Sequence, residues 1–145
     1  MNRMLRNIVA AIVGYIAMAA VLFAAFSLLW LTLGPSRAFQ PGSWEVPGGW
    51  ALGSAVLGLA AAYIGGRVCA RVAHDARAAT ILIAIVIVLG VVRALMPLEI
   101  PAGPRPDDLS MMEATAGAIH PAWFNWLNPL IGAVGAWFGS RKLRV

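Results

Sequence analysis

The chain has 145 residues, of which 61% are hydrophobic and only 12% charged, with a formal net charge of +5 at pH 7. That balance excludes an ordinary water-soluble core, since soluble domains carry about a quarter of their residues as charges. The positive charge does not point to nucleic acid either, because it is divided among short segments between apolar stretches instead of forming one basic face. A single cysteine, Cys69, excludes an internal disulfide and every CxxC redox or metal motif.

Four apolar stretches dominate, at about 8–33, 48–70, 78–96 and 121–140. A hydrocarbon slab needs roughly 20 apolar residues at about 1.5 Å each, so each stretch is long enough to cross or nearly so. The expected fold is an all-α membrane protein: four transmembrane helices in an up-down bundle, forming one integral membrane domain over 1–145.

The first stretch follows Arg3 and Arg6 and ends at Leu33-Gly34-Pro35, where glycine relaxes the backbone and proline cannot continue the helix. Ala17-Met18-Ala19 resembles a signal-peptidase site. The apolar run, however, goes on to Leu33, well past the roughly 7–15 residues of a signal core, which favours a retained span. In the following loop, SRAFQPGSWEVPGGW, the rings of Phe39, Trp44 and Trp50 are expected to anchor in the headgroup layer.

The second stretch repeats small residues every fourth position: Ser54, Gly58, Ala62 and Gly66. Such a ridge lets a neighbouring helix approach closely, gaining dispersion contacts where lipid offers no hydrophobic driving force. It is expected to be a packing seam, partnered by Gly132, Gly135 and Gly139 of the fourth stretch. The basic turn GRVCARVAHDARAA reverses the chain near His74-Asp75, with Arg67 and Arg71 snorkelling to lipid phosphate.

The third stretch contains ILIAIVIVLGVV, apolar on all sides, and is expected to face lipid except at Arg93. The loop that follows is proline-rich, and Ser110 with Glu113 matches a capping box opening a short interfacial helix over 110–119. The fourth stretch starts at Pro121 and carries Pro129 within it, which takes the usual helical partner from the Asn125 carbonyl and predicts a kink.

The charges give an orientation. If the chain crosses four times, Arg3, Arg6, Arg67, Arg71, Arg77, Arg141, Lys142 and Arg144 share one side. The other receives Arg37, Arg93 and Arg105 with Glu45, Glu99, Asp107, Asp108 and Glu113. The positive-inside pattern then places both termini in the cytoplasm, with anionic lipid headgroups as partners of that face and no nucleic acid.

Arg93, Asn125, Asn128, Glu99 and His120 form the one polar cluster near the outer side that could act as a site. His74 and His120 fall on opposite faces, so no histidine-based metal cluster is expected, and nothing calls for a cofactor. No stretch holds an acidic residue for proton-coupled transport, and no nucleophile has an evident base, so a non-enzyme is expected.

FQPGSWEV, a following tryptophan and AAAYIGGRVCARVA resemble segments of small uncharacterised multi-pass membrane proteins of bacteria. The resemblance spans roughly the first half of the chain. It implies a bacterial inner membrane and carries over no activity and no functional residue. The expected role is a helix-packing accessory or structural component associating with itself or a membrane partner. The alternative is a subunit of an oligomeric small-solute transporter or channel with a polar outer mouth.

Overall fold

The computed structural model describes residues 2–97 and 99–141 and, among them, contains helices and one isolated β-bridge, with no strand. α1 (Arg3–Leu33) is opened by Asn2, whose side chain accepts from the Met4 N–H, and stops at Gly34, where φ is 67°. Pro35 starts a single turn, α2 (Pro35–Ala38). α3 (Gly48–Ala73) ends on His74 in the left-handed region, and Asp75 immediately caps α4 (Ala76–Leu95) by accepting from the Arg77 N–H at 3.0 Å. α5 (Met111–Gly117) carries the Ser110/Glu113 capping box, formed in both directions. α6 (Ala122–Ser140) follows Pro121 and runs on through Pro129.

Three helices, α1, α3 and α4, are long and apolar enough to cross a membrane. The stretch expected as a fourth span forms α6, a helix of 19 residues. Asn125, Asn128, Pro129 and three tryptophans dilute its apolarity, and on composition it does not join the other three. Large apolar side chains stand exposed along the bodies of these helices, among them Phe23, Leu28 and Leu31 of α1 and Val88 and Val92 of α4. In water such faces would be costly; in a hydrocarbon solvent they are already satisfied.

α3 is the hub, packing most extensively on α6 and then on α1, while α6 also packs on α4 and α1 scarcely meets α6. Glycine sets each crossing. A Cβ on Gly135 would stand 2.7 Å from both the Ala62 Cβ and the Leu59 carbonyl oxygen; Gly66 abuts the backbone of Ala136, and Gly139 that of Tyr63. α1 meets α3 where Gly14 faces Gly65, each glycine lying against the other's carbonyl. α4 meets α6 where Gly90 takes the ring of Pro129, and Gly132 faces Val86.

The seam residues thus divide. Gly66, Ala62, Gly135 and Gly139 line the α3–α6 crossing, whereas Gly132 serves α4, and Gly58 has only the Asn128 Oδ1 nearby, 3.8 Å from where its Cβ would be. Gly132 faces α4 because α6 is wedged between two helices and its small residues are shared between them.

Two cores result. Near the end that holds the chain's basic turn, Ala10, Ala11, Cys69, Ala73, Ala78, Leu82, Val86 and Ala136 pack together; this is called the basic end below. There Asn7, 3% exposed, donates through Nδ2 to Asp75 Oδ2 at 3.0 Å, tying the start of α1 to the α3–α4 turn. At the opposite, capped end, Ala38, Phe39, Val46, Ala51, Leu109, Ala114, Ala118 and Phe124 form a second core with Trp30, Trp44 and Trp50 against it.

That second core is built by the two long loops. The Val46 N–H donates to the Ile119 carbonyl at 3.0 Å and the Ile119 N–H to the Trp44 carbonyl at 2.9 Å, a parallel bridge centred on Glu45. The Trp44 ring lies on Gly117, and its indole N–H donates to the Gly103 carbonyl at 3.3 Å. Arg105, 9% exposed, sits 5.3 Å from the centre of the Phe39 ring. Phe39, expected in the headgroup layer, is buried instead, because the loops have each other's apolar side chains to cover. The short helix buries Ala114 and Gly117, with Ala118 just after it, and leaves Met112 71% exposed.

Candidate functional site

A cavity of about 260 Å³ lies in the capped half of the molecule. One wall is α1, which presents Leu22, Phe26 and Trp30 at helical four-residue spacing. The opposite wall pairs α3 and α6: Trp50, Ser54 and Gly58 on the first, Phe124 and Asn128 on the second, with His120 just before it. Ala38, Phe39 and Val46 from the first loop and Met111, Ala114, Thr115 and Ala118 from the second close the remaining sides.

The space exists because the bundle is packed unequally along its length. One turn beyond Gly58 towards the basic end, Ala62 is 0% exposed against Gly135, and on the α1 side Met18 comes against Gly65. Those contacts form the floor. Above them α6 carries Phe124 and Asn128 in place of glycine, α1 stands away from α6, and the aromatic loops fill only part of the gap.

The lining is mostly apolar with a few polar groups. Ser54 is 8% exposed, and its hydroxyl makes no hydrogen bond among the described residues. The His120 ring stacks on Phe124, with centroids 5.0 Å apart and planes 15° from parallel. Burial holds the His120 pKa below its ordinary value; a hydrogen bond to the Ala118 backbone opposes this, and the charge of Arg93 adds to the lowering. Burial thus favours the uncharged imidazole over the imidazolium.

The expected polar cluster is split. His120 and Asn128 line the cavity, whereas Arg93, Asn125 and Glu99 do not. Arg93 is exposed in the last turn of α4, near enough for its charge to act on His120; Glu99 is exposed in the loop, and Asn125 is half-buried. Ser54 and Gly58, expected in the packing seam, open onto the cavity instead. Their four-residue spacing put them on one face with Trp50, which is the signal that could have joined them to the aromatic residues of α6.

Among the described residues no group of three His, Cys, Asp or Glu side chains could hold a metal ion, and Cys69 is buried. At the basic end Asp75 is committed to its caps: the Arg77 N–H, then the Asn7 amide, hold its carboxyl below the usual carboxylate range. No protein-family model matches this chain, and no match is found for it among curated proteins or solved structures.

Proposed function

We propose that the chain is a non-enzymatic accessory protein of the bacterial inner membrane that crosses four times, keeps both termini in the cytoplasm and holds a small lipid-soluble ligand in the cavity of its capped half. α6 is the fourth crossing in this reading: it is 19 residues long and packs along α3 and α4, two helices apolar enough to span. The basic end then faces the cytoplasm, where Arg67, Arg71 and Arg77 meet anionic headgroups.

The observation that carries the binding role is a mostly apolar pocket with a few converging polar groups and a closed floor. The same floor weighs against a solute path through one copy. The small-residue faces of α3 and α6 are spent on each other within the chain, so they support internal packing and leave other surfaces to meet a second copy or a partner.

The test is extraction of small molecules from protein purified out of native membranes. A stoichiometric compound should accompany the natural chain and be lost from Gly58→Phe, which fills the cavity, provided that variant still elutes as a folded species. Absence of any such compound, or protein-dependent solute flux in reconstituted liposomes, would overturn the reading. Orientation has its own check: reporters fused after Val145 and within residues 97–120 should report opposite sides.

A further inference from the structure

The two main walls of the cavity differ in chemistry, and the difference selects a ligand. α1 offers Phe26 and Trp30, rings suited to lie against another ring. The facing wall also offers polar groups: Ser54 and, one turn further along beside Gly58, Asn128. Ser54 is more than nine-tenths buried, lines the cavity and has no protein partner among the described residues, so a ligand oxygen placed there would satisfy a hydroxyl that is otherwise unpaired.

Among the described residues no Lys, Arg, Asp or Glu lines the space. A charged ligand would lose its hydration with no counter-ion in the lining to replace it, which favours uncharged compounds. At about 260 Å³ the cavity is at or below the small end of the roughly 300–1,000 Å³ usual for ligand pockets, enough for one ring and too little for a phospholipid. A serine hydroxyl and a carboxamide each donate and accept hydrogen bonds. A ligand hydroxyl does both as well, whereas a carbonyl or ether oxygen only accepts.

Resting on the pocket-binding reading above, we propose that the cavity takes the ring of an uncharged, lipid-soluble phenol, stacked among Phe26, Trp30 and Phe124, with its hydroxyl hydrogen-bonded to Ser54 and Asn128.

The full chain in detergent micelles is titrated calorimetrically with 4-hexylphenol, 4-hexylanisole and hexylbenzene, three probes of similar shape that differ in the hydroxyl. The expected result is saturable one-site binding of the phenol, with the anisole and the hydrocarbon weaker by about tenfold or more. Ser54→Ala and Asn128→Ala should each weaken phenol binding by about tenfold and leave hexylbenzene binding unchanged. Equal affinity for all three probes, or unchanged phenol affinity in both variants, overturns the phenol assignment while leaving a ligand-binding pocket in place. No saturable binding of any probe to the natural chain overturns both. Should Ser54→Ala fail to fold, Asn128→Ala decides, since the Asn128 side chain is exposed enough to be replaced without loss of packing.

Discussion

Adding one methyl group at the buried Gly135 should cost more stability than the same change at an exposed glycine. In Gly135→Ala the new Cβ would stand 2.7 Å from the Ala62 Cβ and from the Leu59 oxygen, and 3.3 Å from the Tyr63 nitrogen, where ordinary contacts begin at 3.4 Å. Two of those three atoms belong to the α3 backbone, so no rotamer change relieves the overlap, and the helices must part by about 0.7 Å. Separation by that amount forfeits about a quarter to a half of each dispersion contact along the crossing, including those at Gly66 and Gly139. Overpacking of this kind costs about 1–3 kcal/mol. Gly53→Ala is the control: its Cβ meets nothing within 4 Å, and exchanging glycine for alanine in a helix is favourable by up to about 1 kcal/mol. Unfolding of the full chain by SDS in mixed micelles, followed by tryptophan fluorescence, measures both. Equal stability of the two variants would refute the account of the α3–α6 crossing.

Acid should weaken the fold through Asp75 and Glu113, whose carboxyls are held below their ordinary values, the first by the Arg77 N–H and the Asn7 amide, the second by the Ser110 hydroxyl and N–H. A lowered folded pKa stabilises above the unfolded value and loses that contribution as pH falls through the folded one. The SDS midpoint should therefore drop below about pH 4, and Asp75→Asn with Glu113→Gln should flatten that part of the profile. His120 acts in a higher window: its pKa is lowered by burial, so the unfolded chain takes up the proton first and stability declines as pH falls below about 6.5. His120→Gln should remove that decline, and an unaltered profile would count against the lowered pKa of this partly buried imidazole. Trp44→Ala vacates the space over Gly117 and cuts the bond to Gly103. A loss of ~2 kcal/mol for this half-buried ring raises the open population of the loops roughly thirtyfold. Limited proteolysis within residues 99–110 should report it, and an unchanged cleavage rate would show that the loops hold together without the indole.

The parts of this fold that follow from local chemistry were legible in the sequence. The stops at Gly34-Pro35 and at His74-Asp75 and the Ser110/Glu113 capping box each need only a few neighbouring residues to specify them. Pairings between distant segments were not. Nothing near Gly14 or Gly90 says that one meets Gly65 and the other Pro129, and Asn7 reads as an ordinary head-group residue until the α3–α4 turn is set beside it. Phe39 and Trp44 were ambiguous for a different reason: aromatic rings at a span's end have the same composition whether they face headgroups or each other. In the site, His120 and Asn128 were visible as polar residues at the end of an apolar stretch. Ser54 was hidden, because a small polar residue on a glycine ridge serves packing and hydrogen bonding equally well, and only the widening of the bundle above Ala62 decides between them.

The clasp between the loops has a consequence for how the protein is made. Trp44 and Val46 leave the synthetic machinery long before Ile119, the residue whose backbone joins them. A nascent chain that has delivered α1, α3 and α4 still lacks the roof of the cavity and the α6 side of its wall. Its glycine-lined α3 face stays uncovered until α6 arrives. Closure of the backbone bridge thus waits on the segment that leads into α6, and a chain that lacks it leaves aromatic residues unprotected at the capped end.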